Sequence, residues 1–253
     1  MASYLVTGAG RGLGLELVNQ LRQLPKPQVS VILAATRSEP SGALQKLIDS
    51  SGGRVVHVLM AVSDKASINA AVPEIEKKLG GKGLDVLINN AGVMPSAPGG
   101  IATMDNLQYA FEINVQAVHD TMAALLPLLS KGEQKKIINI SSTLGSIAYG
   151  PRFSQAPVPA YKITKAALSM LTVQYAMEYE KEGFTIFLVS PGWLRTDMGS
   201  EHADLEVEVG AKAVLDILLK SSPETNGKFL NIHVPGWEHK EGPNQYDGAI
   251  VPW

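Results

Sequence analysis

The 253-residue chain contains no cysteine. Disulfides, thiolate metal sites and a cysteine nucleophile are therefore excluded, and a reducing compartment suits the composition. Excess charge is missing too: 22 Lys and Arg stand against 24 Asp and Glu, a formal net charge of -2. Nucleic acids and anionic membrane surfaces require a basic footprint, so neither is the expected partner. The five histidines, His57, His119, His202, His233 and His239, lack paired ligand spacing, and no metal site is expected from them. No apolar run approaches the ~20 residues of a membrane span; the stretch 122–129 is broken by Pro127. Neither a basic and apolar leader after Met1 nor a lipidation signal at 251–253 is present, so a cytoplasmic protein is expected. A G-x-S-x-G elbow is also absent, which removes the nucleophile turn of a serine hydrolase.

What is present is core material, 45% hydrophobic residues against 18% charged. Short β-branched apolar runs occur at 4–7, 29–35, 55–59, 84–88, 136–141 and 184–190. Between them, helical spacing of apolar residues covers 13–24, 42–48, 66–79, 104–129, 161–179 and 205–219. Strands apolar along their whole length, joined by helical crossovers, predict an α/β fold with a doubly wound parallel sheet covered on both faces. No linker or repeat divides the chain, so residues 1–253 are read as one domain. In such sheets ligands bind beyond the carboxyl ends of the strands, and the residues there are the functional candidates.

The first strand runs into Thr7, Gly8, Ala9, Gly10, Arg11, Gly12, Leu13 and Gly14, spaced as T-G-x-x-x-G-x-G. Glycines let the backbone turn tightly and approach a pyrophosphate, whose charge is met by free N–H groups at a helix N-terminus. Spacing alone leaves an ordinary strand-to-helix turn equally open. An acidic residue about 20 positions further on would hold the ribose of NAD, but the second strand ends Ala35, Thr36, Arg37, Ser38. Arg11 and Arg37 could instead neutralise a 2′-phosphate, or both could be solvated surface arginines. The fourth strand ends in Asn89, Asn90, Ala91 and Gly92, and the fifth in Ser141 and Ser142. Tyr161 and Lys165 fall at i and i+4 of a predicted helix, hence on one face. They are either a tyrosine beside a solvated lysine or a general acid whose phenol is acidified by the adjacent ammonium.

In this order, on successive strand ends, these residues resemble the short-chain dehydrogenase/reductase family over essentially the whole chain. The resemblance rests on Gly8, Gly12 and Gly14; on Asn89-Asn90-Ala91-Gly92; on Asn114 within Phe111-Glu112-Ile113-Asn114-Val115; on Ser142; on Tyr161-Lys162-Ile163-Thr164-Lys165; and on Pro191-Gly192. Residues 192–199, together with Tyr246-Asp247-Gly248 and Pro252-Trp253, look like C-factor and sniffer-like carbonyl reductases and related fungal ketoreductases.

The resemblance implies a Rossmann fold with a mainly parallel seven-stranded sheet, NADPH or NADP+ as cofactor, and a homodimer or homotetramer acting on a small-molecule carbonyl substrate. It implies that Tyr161 donates a proton to the carbonyl oxygen, Ser142 polarises that oxygen, Lys165 holds the nicotinamide ribose, and Asn114 holds a water leading to Lys165. Gly8, Arg11, Gly12, Leu13, Gly14, Arg37, Asn90, Ala91, Gly92, Pro191, Gly192 and Thr196 would line the dinucleotide. Two departures stand out. Ala61 replaces the usual adenine-contacting Asp, and the segment between Ser142 and Tyr161 is longer than the family's usual spacing. Its three prolines, Pro151, Pro157 and Pro159, favour a stiff wall, and the loop 143–160 is expected to set substrate choice. Met94, Phe153 and Trp193 are the expected apolar substrate contacts, and 235–253 is an irregular tail. A catalytically quiet NADP(H)-binding sensor would not need Tyr161 and Lys165. An NAD-dependent alcohol dehydrogenase would be expected to carry the acid that the second strand end lacks.

Overall fold

The computed structural model describes residues 1–40 and 42–253. Seven strands, β1 (Ala2–Thr7), β2 (Val29–Thr36), β3 (Val55–Leu59), β4 (Val86–Asn89), β5 (Lys136–Ile140), β6 (Thr185–Ser190) and β7 (Phe229–Asn231), pair in the order β3-β2-β1-β4-β5-β6-β7. Every neighbouring pair is parallel, as the uninterrupted apolar strands require. The strand order reverses between β1 and β4, which opens a crevice at their carboxyl ends.

Alternate residues of each strand feed two separate cores. Tyr4, Val6, Ile32, Ile88, Ile138, Phe187 and Val189 pack with α1 (Gly12–Gln23), α2 (Gly42–Ser50) and α7 (Val207–Lys220). Leu5, Leu33, Leu87, Ile137, Ile186 and Leu188 pack with α3 (Lys65–Lys78), α5 (Ala117–Ser130) and α6 (Pro159–Tyr179) on the opposite face. The period of two along each strand decides which core a residue joins. Among the described residues no helix is long and apolar enough to cross a membrane.

Two sequence expectations need correction. The helix expected over 104–129 is three pieces: α4 (Leu107–Phe111), a π-helical turn (Glu112–Gln116) and α5. Apolar periodicity averages over such a turn, because one extra residue per turn shifts the face without erasing the pattern. The seventh strand has no counterpart among the apolar runs. It is three residues long, too short for alternation to register, and it is ordered by pairing with β6.

Candidate active site

Three glycines shape the crevice at the end of β1. Gly8 has φ +66°, and a Cβ there would lie 3.0 Å from Ala91 Cα. At Gly14 it would lie 2.3 Å from the Gly8 carbonyl oxygen and 2.5 Å from Asn90 Nδ2. Helix α1 can therefore begin directly against β1 and β4 only because Gly14 has no side chain. Its first turn has no side-chain cap, so backbone N–H groups remain free to meet an anion. Thr7 and Asn90 clamp the two strand ends: Thr7 Oγ1 accepts from the Asn90 and Ala91 N–H groups at 3.0 and 3.1 Å, and Asn90 Nδ2 donates to Thr7 O at 2.9 Å. Leu13 is partly buried and packs against the apolar core.

The segment after β6 folds over this loop. Gly192, at φ +85°, turns the chain after Pro191, and Thr196 Cγ2 stands 3.4 Å from where a Cβ on Gly12 would be. Arg11 reaches across to Asp197 at 2.7 Å, with both side chains exposed. Arg11 is thus engaged by a carboxylate, whereas Arg37 is exposed and has no ion-pair partner among the described residues. Thr36, where an acid would stand for NAD, bonds Ser38 O at 2.5 Å and His57 Nε2 at 2.7 Å. The donors, the uncapped helix and the missing carboxylate fit a phosphorylated dinucleotide.

At the ends of β4 and β5 the catalytic candidates converge. Asn114, fully buried, accepts from Val93 N–H at 2.9 Å and donates to Val93 O at 2.9 Å and to Thr164 Oγ1 at 3.0 Å. The π turn carries it beneath Gly92, where a Cβ would come 3.1 Å from Asn114 Oδ1 and 3.9 Å from Lys165 Nζ. Lys165 donates to Ile140 O at 2.7 Å, and its Nζ lies 5.5 Å from the centre of the Tyr161 ring. Ser142, whose Oγ accepts from Leu144 N–H at 3.3 Å, stands beside the Tyr161 hydroxyl, so the long segment that follows does not carry it away from the pair.

Of the two readings of this pair, the solvated lysine meets a buried Lys165 and the acidified phenol meets an upward shift. Burial pushes the phenol up to about 12, with the neighbouring Ser142 hydroxyl opposing it, and burial pulls the Lys165 ammonium down to about 8. Desolvation disfavours both charged forms and outweighs their neighbourhood in this closed environment. The phenol is accordingly protonated at neutral pH.

The substrate-side candidates are spread around this centre. Met94 is partly buried in the loop after β4, and Phe153 is a buried member of the 143–160 segment. Trp193 is half exposed, with its indole N–H donated to Gly199 O at 2.7 Å. The loop is braced on two sides: Ala97 N–H bonds Pro157 O at 2.8 Å, and Ala148 N–H bonds Trp253 O at 3.0 Å.

Gly145 and Thr164 belong to the site although neither stood out in the sequence. A Cβ on Gly145 would lie 2.6 Å from Lys165 Cβ, so this glycine allows α6 to approach the β5 end. Thr164 ties α6 to Asn114. Its place between Tyr161 and Lys165 was the one available signal.

The sheet order, the glycine crevice and the Ser142–Tyr161–Lys165 cluster define a dinucleotide-dependent oxidoreductase of the short-chain type. Residues 3–206 match the family model for short chain dehydrogenase, and the chain belongs to that family. It is 30% identical to norsolorinic acid ketoreductase of Aspergillus parasiticus, over 99% of this chain and 90% of that one. An NADPH-bound carbonyl reductase from chicken fatty liver superposes with a TM-score of 0.87 at 32% identity, covering 100% of this chain and 94% of the other. The carbonyl reductase Sniffer of D. melanogaster superposes with a TM-score of 0.85 at 29% identity, with both chains fully covered.

Proposed function

We propose that this chain is an NADPH-dependent carbonyl reductase that converts a ketone or aldehyde on a hydrophobic small molecule to an alcohol. The observation that carries the reading is a buried Tyr161 with Ser142 beside its hydroxyl, one helical turn from Lys165 and close to the glycine crevice. Gly8, Gly12, Gly14 and the free N–H groups of α1 would hold the pyrophosphate, with Arg37 and Arg11 toward the 2′-phosphate. Arg11 would then exchange Asp197 for phosphate. Asn90, Ala91, Gly92, Pro191, Gly192 and Thr196 would line the remainder.

A reduced nicotinamide held in that crevice by these residues would supply a hydride for the carbonyl carbon. The Ser142 hydroxyl polarises the carbonyl oxygen, and the Tyr161 hydroxyl gives that oxygen its proton as negative charge develops. Lys165 holds the ribose hydroxyls and offsets the charge left on Tyr161. Asn114 positions the cluster by fastening Val93 to Thr164, and one lone pair of its Oδ1 is free to receive a water toward Lys165. NADPH oxidation against aliphatic, aromatic and polycyclic ketones, aldehydes and quinones tests the reading. Consumption with at least one hydrophobic carbonyl supports it, and NADPH binding without turnover of any would overturn it.

A further inference from the structure

The chain that leaves β6 turns at Gly192, reaches the glycine loop and returns at Leu205, forming a strap. Its far part meets that loop at two points: Thr196 Cγ2 stands 3.4 Å from where a Cβ on Gly12 would be, and Asp197 pairs with Arg11 at 2.7 Å. Its two limbs join at the base. Leu205 N–H donates to Trp193 O at 3.1 Å, Arg195 N–H donates to Leu205 O at 2.8 Å, and Leu194 and Leu205 form a parallel bridge. Whatever fixes this base fixes where Thr196 and Asp197 stand.

One hydroxyl from the tail spans it. Tyr246 is buried, and its Oη accepts from Trp193 N–H at 3.1 Å and donates to Asp204 Oδ2 at 2.6 Å, so it touches the outgoing and the returning limb at once. The same carboxylate oxygen accepts from Asn244 Nδ2 at 2.7 Å. Tyr246 is itself held firmly: Val234 N–H donates to its carbonyl at 2.9 Å, its own N–H donates to Trp237 O at 3.2 Å, and its ring centre lies 5.1 Å from that of Trp237. A Cβ on Gly192 would come 3.3 Å from Tyr246 Cε1, so the turn that starts the strap packs on the ring. Burial, and after it the Asp204 carboxylate, push the phenol far above its ordinary value, so the hydroxyl keeps its proton. With that proton given to Asp204, the hydroxyl has none for a ligand and acts through the strap.

A strap without this tie would have to be ordered when a dinucleotide binds, and apparent affinity falls with the fraction of molecules in which it already stands in place. We propose that Tyr246 is a positioning residue for the dinucleotide: its hydroxyl joins Trp193 to Asp204 and so holds Thr196 and Asp197 over the glycine loop before the cofactor arrives. This inference rests on the reductase reading of that crevice and deepens it.

The test is Tyr246→Phe, which keeps the ring against Gly192 and Trp237 and removes only the hydroxyl. NADPH dissociation constants are measured by calorimetry for the parent chain, Tyr246→Phe, Asp204→Ala and the double variant, at a temperature where circular dichroism shows all four folded. Limited trypsin digestion without cofactor, read by mass spectrometry, reports the strap through cleavage after Arg195 and the whole fold through cleavage after Lys136 in β5. Tyr246→Phe should weaken NADPH binding about tenfold, as expected for one hydrogen bond to a charged group. It should speed cleavage after Arg195 but not after Lys136. Asp204→Ala should weaken binding in the same direction, and the double variant should bind as Tyr246→Phe does, because both substitutions act through one hydroxyl. The proposal falls if Tyr246→Phe binds NADPH as tightly as the parent, if cleavage after Lys136 rises in step with that after Arg195, or if the effects of the two substitutions add. Weakened NADPH binding by Tyr246→Phe in a chain that turns over no carbonyl would uphold the strap and refute the reductase reading. Carbonyl reduction with equal NADPH affinity in parent and variant would do the opposite.

Discussion

The two ends of the sheet treat buried polar groups in opposite ways. At the amino end, Asp85 accepts from Ser3 N–H at 2.7 Å, Ser3 Oγ at 3.0 Å, Glu133 N–H at 2.8 Å and Gln134 N–H at 3.3 Å. Beside it, Lys136 Nζ is held by the carbonyls of Leu218 and Ser221, and the Arg54 guanidinium by those of Arg22, Leu24 and Val29. Asp85 and Lys136 are saturated in this way, and of the Arg54 guanidinium only Nε is left without a partner. At the carboxyl end, Lys165 has one carbonyl, Ser141 Oγ has no partner, and the first turn of α1 has no side-chain cap. Saturation fixes a group in place and removes it from chemistry. The groups left short of partners are those able to bind or react.

The largest effect that would sharpen this contrast is at Tyr161. Tyr161→Phe should lower kcat by roughly 10² to 10⁴-fold while NADPH affinity is unchanged, because general acid catalysis contributes about that much. Undiminished kcat would remove Tyr161 as the donor. Asp85→Ala should do the reverse, lowering unfolding stability by about 2–4 kcal/mol, since it strands several donors, with no change in NADPH dissociation constant at temperatures where the variant is folded. Denaturant unfolding and cofactor titration of the same preparation separate the two ends. Equal stability of Asp85→Ala and the parent chain would break the comparison.

A smaller effect is expected at Arg37, which has no ion-pair partner to lose among the described residues. Arg37→Asp should cut the preference for NADPH over NADH by about tenfold to a hundredfold, the range of one charge-assisted bond, with little change in melting temperature. Equal dissociation constants for the two cofactors in the parent chain would refute the assignment. The smallest effect concerns pH. Lys165, lowered to about 8 by burial, is an ammonium below that value and neutral above it, whereas Tyr161, raised to about 12, stays protonated throughout. The kcat/KM for reduction should therefore fall as pH rises through about 8. A profile flat to pH 10 would show that the Lys165 charge does not limit the free enzyme.

Much of the site was legible because local spacing and strand order carry it. Gly8, Gly12 and Gly14 stand within one strand-to-helix turn, and Tyr161 and Lys165 share a helix face by virtue of a four-residue interval. Less of the electrostatics was legible. The i,i+4 spacing puts an ammonium near a phenol, but the direction of the phenol's shift depends on how much protein surrounds both, and that comes from the packing of α6 on β5.

The sequence by itself determined the alternation of strands and helices, the division of strand residues between two cores, and the residues at the strand ends. Each follows from periodicity or from the backbone freedom of glycine, which act over a few residues. Only the tertiary structure decided that a π turn lies inside the 104–129 segment and sets Asn114 against Thr164, 50 residues away. It likewise set Gly145 against Lys165, engaged Arg11 with Asp197, and joined Arg152 to Gln245 across 93 residues. These pairings depend on where separate elements meet around the sheet, and no short-range pattern of apolar and polar residues encodes that distance.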